Sequence, residues 1–324
     1  MSKDHLIRTT SLVQLPINLF GAVMGLSGLA LAWRLSSQVF GTHAMIGDGI
    51  GILAVAVFLV LFVSYLVKAI RYTDQVKAEF NHPIAGHFFG TFTIAILLLS
   101  SVIAPYSESI GQAVWIAGTV LTLALSYTVV SRLLRGRQEA AHAVPAWLIP
   151  GVAALDIAVS GGTMPFGWAH ELNLLSLAIG SFVALVFFTL IVYRLIHHDP
   201  LPLGLTPSLI ILIAPFEVGF LGYTTFTGRI DNFASALFYF GLFLFAVLFV
   251  KVFRKSVPFS ASWWAVSFPM AALSNAALKY ADFTGSWMTK AIAVLLLVLL
   301  TAVLAVLFVR TLVILFNGKL LGLP

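Results

Sequence analysis

Residues 291–309 read Ala291-Ile-Ala-Val-Leu-Leu-Leu-Val-Leu-Leu-Thr-Ala-Val-Leu-Ala-Val-Leu-Phe-Val309, with no acidic residue, lysine or arginine among them. A helix of ~20 such residues spans the hydrocarbon core of a bilayer. Charges are expensive there, so a run this long and this clean reads as a membrane span. Working back towards the N-terminus, nine further runs of the same kind appear, at 9–33, 49–67, 84–107, 111–131, 140–170, 172–193, 200–228, 232–250 and 256–278. Only two hold an acid: Asp156 in the fifth and Glu217 in the seventh. The expected fold is therefore all-α and integral to the membrane, with ten transmembrane helices in a single domain over 1–324.

The composition agrees. Of the 324 residues 60% are hydrophobic and only 9% are charged, where a soluble domain carries roughly a quarter. The absence of cysteine removes disulfides, thiolate metal sites and a cysteine nucleophile. The net charge of +6 is spread over short loops between apolar runs, a topology signal rather than a nucleic-acid surface. Ten spans return both termini to one side. With that side cytoplasmic, fourteen basic residues lie inside, among them Lys3, Arg8, Lys68, Arg137 and Lys255, against Arg34, Arg229, Lys279 and Lys290 outside. That is the positive-inside pattern. Residues 1–10 are polar and lack a signal-peptide cleavage site. The expected location is a cell membrane, the inner membrane of a bacterium, crossed many times.

A second pattern lies over the first. The odd spans contain Pro16, Pro83, Pro150, Pro215 and Pro269, and the even spans contain no proline. Glycine follows the same division, with Gly21, Gly25 and Gly28 in the first span and Gly86 and Gly90 in the third. The even spans are rich in Leu, Val and Phe. Proline removes a backbone donor and kinks a helix, and the freed carbonyl must find protein or water. Small residues let helices approach closely. These facts predict five tandem hairpins, near 9–72, 82–134, 144–196, 204–253 and 260–316. In each, a proline-kinked inner helix faces a central pore and a bulky outer helix faces lipid or a neighbouring subunit.

Two stretches resemble a known family. The first span reads Pro16-Ile-Asn-Leu-Phe-Gly-Ala-Val-Met-Gly-Leu-Ser-Gly-Leu-Ala-Leu-Ala-Trp33, and the ninth contains Trp263-Trp-Ala-Val-Ser-Phe-Pro269. Both are similar to the tellurite-resistance/dicarboxylate transporter family, which holds bacterial TehA and the plant guard-cell slow anion channels. The resemblance implies five hairpins around a pore, a homotrimer with one pore per subunit, and a ninth-helix phenylalanine plugging that pore. Here that residue is Phe268. It also implies passage of monovalent anions such as chloride and nitrate, other members being assigned to malate, sulfite or tellurite.

The residues themselves leave alternatives open. Asn18, Thr91, Thr93, Ser208, Ser267 and Ser274 could line a pore or hydrogen-bond between helices. A pore of hydroxyls, backbone N–H groups and helix dipoles should favour weakly hydrated anions. Phe268, just before Pro269, could be aimed at the axis by a local departure from helix geometry, or simply pack. Asp156 and Glu217 suit either a structural role or proton coupling. Lys279 could pair with one of them or snorkel outward. No histidine spacing indicates a metal or haem, and no phosphate-binding loop is present, so neither a cofactor nor an enzymatic activity is expected. The expected function is a gated channel for small anions in the lipid bilayer. The alternative is a secondary carrier or exporter of dicarboxylates or oxyanions, coupled to protons or not.

Overall fold

The computed structural model describes residues 12–136, 138–254 and 256–321. Lys3, Arg8, Arg137 and Lys255, counted above on the cytoplasmic side, lie outside the described residues. No β-strand occurs among the described residues. The α-helices are α1 (Phe20–Phe40), α2 (Ala44–Arg71), α3 (Thr73–Asn81), α4 (Phe89–Ile103), α5 (Glu108–Arg135), α6 (Ile149–Gly161), α7 (Ala169–His197), α8 (Ala214–Thr227), α9 (Asn232–Val252), α10 (Ser267–Thr284) and α11 (Trp287–Phe316).

Two kinds of helix alternate. α2, α5, α7, α9 and α11 are uninterrupted, 21 to 30 residues long. α1, α4, α6, α8 and α10 are each preceded by a tighter 3-10 segment: Ile17–Leu19, Ala85–Phe88, Pro145–Leu148, Leu203–Ile213 and Ala261–Val266. The prolines mark these lead-ins instead of bending a helix in its middle. Pro16 and Pro83 come before the 3-10 segment, while Pro150 and Pro215 sit in the first turn of α6 and α8. Pro269 is the third residue of α10. A first-turn proline lacks an N–H that has no intrahelical partner anyway, so it costs the helix nothing. The kink expected inside each odd span is thus a change of helix type at its start. Phe268 is correspondingly the second residue of a regular helix and does not depart from helical geometry.

Among the described residues, eight helical segments are long and apolar enough to cross a membrane. Three of them, Ile17–Phe40, Ala85–Ile103 and Leu203–Thr227, are 72–78% buried in the protein, against 11–39% for the other five. The segments ending in α6 and α10 fall outside the eight: Pro145–Gly161 is short, and α10 carries Asn275, Lys279 and Asp282. Both are still buried along almost their whole length.

Helix contacts explain the contrast. α1 packs on α4, α4 on α6, α6 on α8, α8 on α10, and α10 closes the ring on α1. α2, α5, α7, α9 and α11 each pack outside the ring helix that precedes them, or follows in the case of neighbouring hairpins. Their apolar side chains remain exposed, as at Phe62, Phe182, Phe243 and Val298. Ring closure depends on small residues. A Cβ on Gly25 would lie 2.5 Å from the Ser267 Cβ, and one on Gly28 would lie 2.6 Å from the Ala271 Cβ. Gly90 does the same for α4 against Ile149, and Gly86 is held against the Phe80 carbonyl. Ser267 Oγ donates to Gly21 O at 2.8 Å, and Asn275 Nδ2 to Gly28 O at 2.9 Å. These are the interhelical bonds that a ring of close backbones permits.

The polar helix α3 is an addition that the span pattern does not reveal. Its Glu79 accepts from Ile17 N at 2.9 Å, from Lys68 Nζ at 2.6 Å and from Tyr65 Oη at 3.0 Å. Lys68 Nζ also donates to Leu15 O at 2.8 Å. The backbone groups flanking Pro16 are thereby satisfied by a buried ion pair. Lys68 is a clamp on the first lead-in, not a free loop cation. Removing one partner of such a pair leaves the other charge buried and costs ~3–5 kcal/mol. Glu79→Ala should therefore lower the unfolding temperature in detergent markedly, and Lys68→Met/Glu79→Leu should lower it less. Equal losses in the single and double variants would refute the clamp.

Candidate functional site

Two cavities lie inside the ring, each lined by all five of its segments. The smaller, about 30 Å³, is bordered by Asn18 and Met24, Thr91 and Ile94, Val152, Ala214, and Phe268 with Pro269. The larger, about 520 Å³, is bordered by Gly28, Leu98, Asp156, Val218 and, on α10, Phe268, Asn275 and Lys279. The register is uniform. Met24 and Gly28, Ile94 and Leu98, Val152 and Asp156, and Ala214 and Val218 are pairs four residues apart, the first on the small cavity and the second on the large. One helical turn, ~5–6 Å, therefore separates the two spaces on every one of these helices. On α10 a single residue spans that gap. Among the described residues Phe268 alone lines both cavities, and its ring is 6% exposed.

The sequence candidates divide clearly. Asn18 and Thr91 line the small cavity, as does Gly21. Asn18 Oδ1 is buried there without a partner among the described residues, and Thr91 Oγ1 donates to Phe88 O at 2.6 Å. Ser208, Ser267 and Thr93 line neither cavity and spend their hydroxyls on the carbonyls of Leu205, of Gly21 and Trp264, and of Gly90. Ser274 is fully buried away from both, its hydroxyl unpartnered among the described residues. Of the prolines Pro269 borders the axis; Pro16, Pro83, Pro150 and Pro215 do not. Gly25, Gly86 and Gly90 serve packing.

The two acids part company. Asp156 borders the large cavity one turn from Val152 on the small one, and its Oδ2 has no hydrogen-bond partner among the described residues. Glu217 points out of the ring onto α9, where its carboxylate fills the space that a side chain at Gly241 would need. Both of its oxygens lack a hydrogen-bond partner among the described residues. Lys279 neither pairs with an acid nor snorkels; it lines the large cavity and donates to Thr225 Oγ1 at 3.3 Å. Asn275 was missed by sequence reading. The available signal was its place on one face of α10, where Phe268, Ala271, Ala272, Asn275, Lys279 and Asp282 recur at helical spacing. Among the described residues no three His, Asp or Glu side chains converge as a metal site requires.

The walls are thus mainly apolar, with polar atoms placed singly, a lining that offers dipoles and, among the described residues, one cation without an acid partner and no catalytic constellation. The family model of SLAC1, described as a voltage-dependent anion channel, matches residues 14–312. The chain belongs to this family. The SLAC1 match covers all five ring helices and, except for the last four residues of α11, all five outer ones. Among its curated relatives, the S-type anion channel SLAH3 of Arabidopsis thaliana is 27% identical over 93% of this chain and 48% of its own length. The guard cell S-type anion channel SLAC1 of the same plant is 28% identical over 93% of this chain and 56% of its own. The chain spans about half the length of these plant relatives. The tellurite resistance protein TehA homolog of Haemophilus influenzae is 28% identical over 86% of this chain and 85% of its own length. Membership bears out the resemblance read from the Trp263–Pro269 stretch. It makes the chain a multi-pass membrane protein of an anion channel and transporter family, not of an enzyme family.

Proposed function

We propose that this SLAC1-family protein is a gated channel for small monovalent anions, chloride and nitrate, and that Phe268 is its gate. The observation that carries the proposal is the position of that ring. It occupies the one level at which two cavities, each bounded by all five ring helices, fail to join. A hydrophobic constriction of this kind blocks ions by excluding water. Displacing one side chain would connect the spaces without moving a helix. The walls supply stabilisation without tight binding, as rapid conduction requires. Residues of four of the five 3-10 lead-ins border the small cavity, on the side of the helix N-termini, where helix dipoles are positive.

In this reading the chain is one transmembrane domain of ten spans in five hairpins, the segments ending in α6 and α10 crossing the membrane with the eight apolar ones. Both are sheltered from lipid by the outer helices, so neither needs an apolar surface. Both termini face the cytoplasm of a bacterial inner membrane, as the excess of basic residues on that side supports. The exposed Phe-rich faces of the outer helices are available for a homotrimer, each subunit keeping its own conduit.

A proton-coupled carrier of dicarboxylates or oxyanions is the second reading, favoured by the unpartnered Asp156 oxygen on the large cavity. The two differ in flux. Purified protein in a planar bilayer is expected to give unitary current steps in chloride and nitrate. Saturable uptake driven by a proton gradient, with no steps, would replace the channel by the carrier.

A further inference from the structure

The large cavity holds two cations in opposite circumstances. Arg34 is fully engaged: its Nε meets Asp48 Oδ1 at 3.0 Å, its Nη1 donates to Val102 O at 3.0 Å and its Nη2 reaches Tyr106 Oη at 3.3 Å. Its charge is balanced by Asp48 at the same distance of 3.0 Å. Lys279 is not balanced. Its hydrogen-bond contact is Thr225 Oγ1, and among the described residues no carboxylate lies within ion-pair distance of its ammonium. An ammonium has three donors. With one on Thr225, two are left for a ligand in a space large enough to hold an ion and several waters.

The neighbours set what that ligand is. Asn275, a turn nearer Phe268, spends its Nδ2 on Gly28 O and Ala271 O at 2.9 and 2.8 Å, so it offers no competing donor. Lys279 lies eleven residues past Phe268 on α10, about 16 Å along the helix. Asp156 sits between these levels, at the floor of the cavity, with Oδ2 unpartnered. Asp282 adds a second carboxylate at the exposed rim. A single free ammonium balances one negative charge, so a dianion keeps one charge unbalanced among mainly apolar walls and near the exposed carboxylate of Asp282.

We propose that Lys279, with Thr225, holds a small monovalent anion in the large cavity, and that a dianion, left there with one charge unbalanced, binds less well. The inference deepens the channel reading and rests on it for its biological sense. The site itself can be tested without conduction. Thermal unfolding of the purified protein in detergent is followed in sodium nitrate against sodium gluconate at matched ionic strength. Nitrate is expected to raise the melting temperature saturably. Lys279→Gln should weaken the apparent nitrate affinity about tenfold, ~1.4 kcal/mol, and Lys279→Arg should keep most of it. Sulfate should stabilise wild type less than nitrate does. An equal nitrate shift in Lys279→Gln, or no saturable shift in wild type, overturns the site. Anion flux through the Phe268→Ala protein separates the two ideas. Lys279-dependent nitrate binding with silent flux keeps the site and removes the channel. Flux with Lys279-independent nitrate binding keeps the channel and removes the site.

Discussion

Phe268→Ala, reconstituted in a planar bilayer, is expected to conduct chloride and nitrate constitutively, at a level roughly thirty- to a hundredfold above wild type. The magnitude follows from what holds the ring in place. Burying a phenylalanine side chain is worth ~1.5–3 kcal/mol, and ~2–2.8 kcal/mol of bias towards the closed arrangement is a factor of about 30 to 100. Truncation at Cβ removes the bias and joins the two cavities at once. The fold should survive. A core Phe→Ala change costs ~3–5 kcal/mol where packing is tight on all sides, but this ring borders open space above and below. Phe268→Leu refills most of the volume and should conduct far less than the alanine variant. Current indistinguishable from wild type in a folded Phe268→Ala protein would remove the gate assignment and with it the main support for the channel.

The membrane class was legible because lipid enforces it locally: the stretch 232–250 must be apolar whatever it packs on. α10 was harder to read, since its polar face turns inward and answers to the cavity, not to lipid. The proline alternation pointed to the helices that form the ring, yet not to the form their irregularity takes. Whether a proline bends a helix or begins one depends on where the helix starts, and position in sequence does not reveal that. The hydroxyl candidates illustrate the same gap. Thr91 and Ser267 have the same chemistry and the same burial in an odd span. Both bond carbonyls far away in sequence, of Ile17 and of Gly21, yet only Thr91 lines a cavity. Lys68 reads as an ordinary loop charge because its partner Leu15 is reached only after the chain folds back.

Gly25→Ala should be strongly destabilising, because it adds a methyl group where α1 meets α10. Its Cβ would fall 2.5 Å from the Cβ and 2.8 Å from the Oγ of Ser267, well inside the contact distance of ~3.5–4 Å. Ser267 cannot rotate clear, because its Cβ is fixed to the α10 backbone. α1 and α10 must separate instead, which strains the Ser267–Gly21 and Asn275–Gly28 hydrogen bonds that close the ring. Overpacking costs ~1–3 kcal/mol and each buried polar group left unpaired ~1–3 more, enough to consume much of a typical stability of ~5–15 kcal/mol. Gly49→Ala is the matched control. It adds the same methyl to α2, where nothing lies within 4 Å, and should leave stability unchanged or raise it by ~0.5–1 kcal/mol through helix propensity. Ser267→Gly in the Gly25→Ala background restores the space but not the hydrogen bond, so it should recover part of the loss. Comparable unfolding temperatures for the Gly25 and Gly49 variants would show that α1 and α10 do not close the ring by contact. Because Ser267 immediately precedes Phe268, any folded Gly25→Ala protein should also leak anions: the displacement that relieves the methyl group carries the gate with it.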